Sequence, residues 1–303
     1  MEAEMELRHL EYFLACCDLG TFTAAARSLD VVQSAVSTGV AKMERELGER
    51  VFDRTPTVLV LTDTGRAIVG PARAALRARA DIFDAVDGVR GDIRGEVAVG
   101  ALVNVVSIDL AEAFAEIHRR HPGITIAMRQ NPRGSSGNIV GVRAGTLDLA
   151  FLGAYPDLIP GIAVHRLAQE PLVLVCSPDH RLAQAGSFAT ADLAEERVID
   201  YPPGWGTRAV VDRDIPDRRT VIEVADQFFG MSLAVKGFGV TLVPLGVAHM
   251  HAGAAIVPCS DTALMWDIAI AHSSTRTPSR AARAVLDIVL ELARPVRVSR
   301  TPS

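Results

Sequence analysis

Cysteine is scarce in this chain of 303 residues: there are four, at Cys16, Cys17, Cys176 and Cys259. The first two sit in an apolar stretch and Cys176 closes the apolar run 172–176, so buried, reduced thiols are expected rather than a disulfide framework. No run of about 18 apolar residues occurs, so no membrane-spanning helix and no membrane partner are expected. The opening Met1-Glu2-Ala3-Glu4-Met5-Glu6 is acidic and lacks the basic and apolar regions of a signal peptide, which points to a cytoplasmic location. Basic residues are few as well: 31 Lys and Arg stand against 36 Asp and Glu, a net charge of −5, unlike a pure nucleic-acid binder. Also missing are a phosphate-binding P-loop, a Gly-x-Ser-x-Gly elbow and a His-Glu-x-x-His pair. Gly237-x-Gly239 lacks the third glycine of a dinucleotide loop, and His249-x-His251 has no carboxylate or cysteine companion. No catalytic residue, metal site or cofactor is therefore expected. What remains is 49% apolar and 22% charged residues, in a chain long enough for more than one domain.

Residues 21–48 read as a helix, a tight turn and a second helix. Thr23 is the expected N-cap of the first, and Ala24, Ala25 and Ala26 allow close helix packing. Asp30 and its neighbours make the turn. In the second helix Val36, Val40, Met43 and Leu47 recur at helical spacing as a core stripe. The opposite face carries Gln33, Ser34, Ser37, Thr38, Lys42 and Arg45, groups that hydrogen-bond base edges or phosphates, and Gly48 stops the helix. Such a pair is the helix-turn-helix of a DNA-binding protein, or else a hairpin with a solvated polar face. The residues that follow decide between them. Two β-rich runs, 51–54 and 58–61, flank Thr55-Pro56-Thr57 as a hairpin wing. Thr62 or Thr64 then caps a long helix reaching about Val89. Ten Lys or Arg against eight Asp or Glu between Arg8 and Arg79 put a mild basic excess at this end.

The order helix, helix-turn-helix, wing, long helix resembles the LysR-type transcriptional regulators. The resemblance is carried by Leu7-Arg8-His9-Leu10 with Phe13, Phe22-Thr23 with Ala25-Ala26, Gln33, and Ala35-Val36-Ser37. It continues through Glu44-Arg45-Glu46-Leu47-Gly48, Phe52-Asp53-Arg54-Thr55 and Leu61-Thr62 with Gly65. It implies a winged helix-turn-helix over 6–63, a linker and dimerisation helix over 64–90, and an effector-binding domain over 95–295. The DNA-contacting residues it implies are Thr23, Gln33, Ser34, Ser37, Thr38, Lys42 and, in the wing, Arg54. Several positions depart from the family pattern. Val32 replaces the usual Ser at the start of the recognition helix, so Ser34 is left to cap a helix that begins later. Gly39 interrupts that helix, and the wing tip has no basic residue, which predicts modest affinity with a shallow salt dependence. In the long helix Ile68, Ala72, Ala75, Ile82, Val86 and Val89 follow a heptad broken at Arg79, the seam of a helix pair or the packing face on its own domain.

Past the glycines at 88, 91 and 95, strand-like and helix-like runs alternate, which indicates α/β architecture with mainly parallel sheets. Strands are expected at 97–101, 124–128, 147–151, 172–176, 198–201, 221–224 and 266–271, with a further strand entered through 237–244, and helices at 105–120, 139–144, 205–211, 228–236 and 279–292. Leu147-Asp148-Leu149-Ala150, the stretch 174–180 and Gly237-x-Gly239-Val240 again resemble the LysR effector domain. That likeness implies two α/β lobes of periplasmic-binding-protein type, about 95–164 with 268–295 and about 165–267, joined by crossover strands near 162–167 and 264–270.

In open α/β sheets, ligands bind at the carboxyl ends of strands near helix N-termini. The candidate effector residues are therefore Leu102, Val103, Asn104, Arg129, Asn131, Gly153, Tyr201, Trp205, Gly206, Thr207, Arg208, Asp226 and Phe228. Helix N-termini favour an anion, which Arg129 or Arg208 is placed to pair; either arginine is equally a surface ion-pair residue. Trp205, where the family commonly has a small residue, is an aromatic wall for a flat ligand or a residue that fills the cleft. The expected function is ligand-responsive DNA binding: a small anionic effector changes how a homotetramer, built as a dimer of dimers, spaces its recognition helices on an interrupted palindrome. A constitutive DNA binder with an occluded cleft, and a solute-binding module, are the alternatives. Peroxide sensing would need Cys176 and Cys259 to meet, which nothing in the sequence supports.

Overall fold

The computed structural model describes residues 5–54, 58–89 and 93–292, apart from the side chains of residues 54, 81, 84, 85 and 87–89. Two compact units divide between Gly91 and Asp92. The first comprises α1 (Leu7–Leu19), α2 (Phe22–Ser28), α3 (Gln33–Leu47), β1 (Phe52–Arg54), β2 (Leu59–Leu61) and α4 (Asp63–Val89). Gly20 (φ 74°) ends α1 in the left-handed region, and its N–H reaches Cys16 O. The cap of α2 is Thr21, whose Oγ1 accepts from Ala24 N at 3.1 Å; Thr23 lies inside the helix and is exposed, so the expected cap is displaced by two residues. A second correction concerns α3. It starts at Gln33 with Val32 at the N-cap position and no side-chain cap, so Ser34 lies in the first turn and caps nothing.

Phe13, Ala25, Ala26, Val36, Val40, Met43, Val51 and Phe52 form the core of this unit, with the Phe13 and Phe52 rings 5.4 Å apart. Leu47, expected in the stripe, is 37% exposed because it lies in the last turn, beyond the reach of α1. Glu44 Oε1 accepts from Val51 N at 2.9 Å, which ties the antiparallel β1–β2 pair to α3. Thr62 Oγ1 accepts from Gly65 N and donates to Arg50 O, so Thr62 rather than Thr64 caps α4. The first half of α4 packs Ile68, Ala72 and Ala75 on this core, whereas Ile82, Phe83 and Val86 are exposed. The heptad therefore serves the domain's own packing first and presents an apolar surface later. The wing tip 55–57 lies outside the described residues.

The second unit contains β3 (Arg94–Ala101), α5 (Leu110–Arg120), β4 (Gly123–Gln130), α6 (Gly134–Ala144), β5 (Leu149–Gly153), β6 (Ile162–Cys176) and α7 (Arg181–Ala185). It continues with β7 (Arg197–Asp200), α8 (Gly206–Asp214), β8 (Arg219–Glu223), α9 (Gln227–Val235), β9 (Thr241–Pro244), α10 (Leu245–Ala248), β10 (Ala255–Val257), β11 (Met265–Ser273) and α11 (Arg280–Leu292). A seven-stranded sheet runs β10-β6-β11-β5-β3-β4, with β9 also paired to β6. The expectation of mainly parallel pairing is corrected: β3 is parallel to β4 and β5, but β6 and β11 run against every neighbour. These two return strands are what joins the halves. The first part of β6 pairs with β11, and the rest, from Leu172, pairs with β9 and β10. A separate parallel pair, β7–β8, lies beside them.

Alternation along β3 sorts the core. Val97 and Val99 join Ile117, Val285 and Val289 on one face, while Ala98 joins Val142 and Leu152 on the other. The first helix here is shorter than expected. Asn104 takes a left-handed φ of 57°, which no helix accommodates, and the cap falls to Asp109, whose Oδ1 accepts from Glu112 N at 2.9 Å. Conversely, α6 begins five residues earlier than the sequence suggests, at Gly134.

Candidate DNA face and inter-lobe cleft

On α3, Gln33, Ser34, Thr38 and Lys42 are exposed on the side opposite Val36, Val40 and Met43. Ser37 is half-buried, and its hydroxyl donates to Ser34 O at 3.2 Å, so part of its hydrogen-bonding capacity is used locally. Thr23 is exposed on α2. Arg54 ends β1, and its side chain lies outside the described residues. An open groove runs along this face, lined by Arg8, His9, Tyr12, Val32, Ser34, Ala35, Thr38, Gly39 and Lys42. Sequence reasoning missed Arg8, which reaches the groove from α1 and pairs with Glu6 at 2.7 Å. It also misjudged Gly39. A Cβ there would lie 2.5 Å from Tyr12 Cδ2 and 3.2 Å from His9 Cδ2, so glycine is what lets the α1 rings press against α3. The burial that results pushes the His9 imidazole pKa down.

In the second unit a cleft with about 410 Å³ of empty space, including its open mouth, lies where strands end and helices begin. Its walls are Ala101 to Val103 after β3, Gln130 and Asn131 after β4, Gly134 at the start of α6, Trp205 to Thr207 entering α8, Gln227 opening α9, and Trp266 on β11. Of the expected residues, it brings together Leu102, Val103, Asn131, Trp205, Gly206 and Thr207. Gly134, Gln227 and Trp266 were missed. The pattern signal for Gln227 was available, since Asp226 caps α9 by accepting from Phe229 N at 3.0 Å and so fixes where the helix begins.

The other expected residues stand behind the walls. Asn104 donates from Nδ2 to Gln227 Oε1 at 3.4 Å. The Gly153 N–H donates to Ser135 Oγ and its carbonyl accepts from the same hydroxyl, both at 2.9 Å; a Cβ on Gly153 or Gly206 would come within 2.8 Å of Trp266. Tyr201 is buried, accepts from Thr241 Oγ1 at 3.0 Å, and has its phenol pKa pushed up by that burial. Phe228 is half-buried against the cluster that holds Val173, Val243 and Val247. Asp226 is committed to its cap.

The two arginines expected to meet an anion lie elsewhere. Arg208 Nε donates to Asp212 at 2.7 Å and its Nη1 donates to Tyr201 O at 2.9 Å, with Asp200 and Glu223 also close, so acidic neighbours from β7, β8 and α8 hold it away. Arg129, 52% exposed, sits 3.6 Å from Glu96 on the neighbouring strand. Every described residue lining the cleft is electrically neutral. Any preference for negative charge must come from the first-turn amides of α6, α8 and α9. Among the described residues, Thr207 Oγ1 and Trp266 Nε1 are buried and have no hydrogen-bond partner, a cost of about 1–3 kcal/mol each that a bound acceptor or water would relieve.

Trp205 both walls and fills the cleft. Its ring stacks on Tyr201 (5.9 Å between centroids, 6° between planes), and its Nε1 donates to Pro132 O at 3.0 Å. Ser136 N–H donates to Gly204 O at 3.3 Å beside it. Gly204 (φ 94°) and Gly134 (φ 51°) are required: a Cβ on Gly204 would lie 2.4 Å from Ser136 Oγ, and one on Gly134 would lie 3.1 Å from Trp205. A buried Asp200–Arg218 pair at 2.6 Å braces this loop, with Asp200 Oδ1 accepting from Tyr201 N at 2.9 Å. All four cysteines are free, and the backbones of Cys176 and Cys259 pair with Ala255 and Phe188 respectively, not with each other.

Residues 7–66 match the family model of the bacterial regulatory helix-turn-helix protein, lysR family, and residues 90–294 that of the LysR substrate binding domain. A RuBisCO operon transcriptional regulator from Allochromatium vinosum is 30% identical over 255 residues, covering 82% of each chain. A full-length OxyR variant from Pseudomonas aeruginosa is similar in structure with a TM-score of 0.76, at 24% identity over 99% of each chain. CbnR solved with its target DNA gives 0.62 at 23% identity, covering 95% of this chain and 99% of that one. At these identities the structural likeness speaks for the fold.

Proposed function

The chain belongs to the LysR family of DNA-binding transcriptional regulators, and from that premise we propose how its own residues divide the work. Residues 6–63 read the operator, 64–90 pair two copies, and 95–295 bind a small effector between lobes formed by about 95–164 with 268–295 and about 165–267. Gln33, Ser34, Ser37, Thr38 and Lys42 face the major groove, and Thr23 and Arg54 meet the flanking backbone. The effector occupies the cleft ringed by Leu102, Val103, Asn131, Trp205, Gly206 and Thr207. It acts by binding two arrangements of a homotetramer with different affinity. We read the chain as a regulator without catalytic turnover, acting in the cytoplasm; no helix among the described residues is long and apolar enough to cross a membrane.

The observation that carries this reading is the exposed polar face of α3, backed by the buried Val36, Val40 and Met43 and flanked by Arg8 and Lys42. Footprinting on the region upstream of its own gene tests it. Gln33→Ala is expected to cost about 1–3 kcal/mol on the specific site and to relax base preference there. An unchanged footprint and affinity in that variant would remove Gln33 from the reading face. One observation favours a second reading, constitutive binding with an occluded cleft: the Trp205 indole stands in the cleft wall, only 8% exposed, and is fixed there by its bond to Pro132 O. Small acids and neutral compounds that move the footprint decide against it.

A further inference from the structure

Val32 is the residue of the DNA-binding unit that stability does least to explain. It occupies the N-cap position of α3, where a Ser, Thr, Asp or Asn side chain would satisfy a first-turn amide, and it supplies no such bond. Nor does it pack in the core: it is 68% exposed, whereas its neighbour Val31 packs against the interior cluster. It instead lines the open groove, which Tyr12, Ala35 and Gly39 also line together with the cations of Arg8 and Lys42. Arg8 and Lys42 suit phosphates, and Ser34 and Thr38 suit base edges or phosphates, but an aliphatic group has one partner in a major groove. That partner is the 5-methyl group of thymine, the only apolar feature a base edge presents there.

We infer that Val32 is a base-reading residue whose side chain contacts the methyl group of a thymine in each half-site. The inference rests on the reading that α3 enters the major groove, and it adds which base feature the N-terminal end of that helix selects. The hydroxyl of a serine at this position would trade that apolar contact for a cap.

The test begins by selecting duplexes bound by the full-length chain from a random-sequence pool, for wild type and for Val32→Ser. Serine restores the missing cap, so loss of folding does not confound the comparison. Each thymine of the wild-type site is then replaced singly by deoxyuridine, which keeps base pairing and removes only the methyl. Wild type should bind about four-fold more weakly at one position per half-site, the value of one buried methyl group, while Val32→Ser shows no preference there and keeps its preferences elsewhere. Equal sensitivity of wild type and Val32→Ser at every position, or no sensitive thymine at all, would overturn the inference. If wild type enriches no sequence, the reading of α3 as the recognition helix falls, and the inference falls with it. That outcome is distinct from a selected site indifferent to Val32.

Discussion

Replacing Trp205 with alanine would test the packing of the cleft more directly than any other single change. The indole is 8% exposed, stacks on Tyr201 and donates to Pro132 O. Truncating a buried Trp to Ala costs about 3–5 kcal/mol where the cavity cannot collapse. Here the cleft mouth admits water and relieves part of the cavity term, so the expected loss is about 3 kcal/mol, of which the ring stack supplies about 0.5–1.5 and the hydrogen bond about 1. Trp205→Phe keeps a ring and loses the donor, so its expected loss is only about 1 kcal/mol. The chain has two tryptophans, Trp205 and Trp266, and both line the cleft. Fluorescence-detected urea unfolding of either variant therefore follows Trp266 and reports on this unit alone. Against a typical domain stability of about 5–15 kcal/mol, a shift of about 3 moves the midpoint well outside error. A loss below about 1 kcal/mol for Trp205→Ala would refute the description of a packed, hydrogen-bonded indole in the cleft wall.

Gly39→Ala should destabilise the DNA-binding unit, contrary to the usual gain of about 1 kcal/mol for this change in a helix, because the added methyl meets Tyr12 at 2.5 Å; a raised melting temperature would contradict the close approach. Asp200→Ala leaves Arg218, whose side chain is 5% exposed, with Asp212 as its remaining carboxylate and Ile215 O as a neutral acceptor, and should cost about 3–5 kcal/mol in the unfolding of the effector unit. Burial pushes the thiols of Cys16 and Cys17 up to about 12 and that of Cys176 up to about 11, so native alkylation at these three should stay slow from pH 7 to 9 and become fast in denaturant. Rapid native labelling of Cys176 would show that β6 opens.

Periodicity made the helix-turn-helix legible, because the spacing of Val36, Val40 and Met43 fixes which side of α3 is buried and hence which side is free. Cap positions were less so. Thr21 and Thr23 are both good caps, and the choice between them depends on where the chain turns after Gly20. The role of Gly39 was invisible because it depends on Tyr12, a residue of another helix. Strand ends and helix starts located much of the cleft, from Leu102 and Asn131 to Thr207. The charges could not be placed that way. Arg208 is an anion ligand or an ion-pair residue according to where Asp200, Asp212 and Glu223 lie, and two of these come from other strands. Trp266 belongs to the cleft only because β11 crosses back between β5 and β6, a pairing no local pattern reveals.

The most direct test of the account is the salt dependence of binding to the region upstream of the chain's own gene, for wild type and Lys42→Ala. If α3 lies in the major groove with Lys42 on a phosphate, specific binding should weaken with salt and the variant's log–log slope should be shallower by about 1. Identical slopes, or no preference for this region over unrelated DNA, would contradict the assignment of this face to the operator.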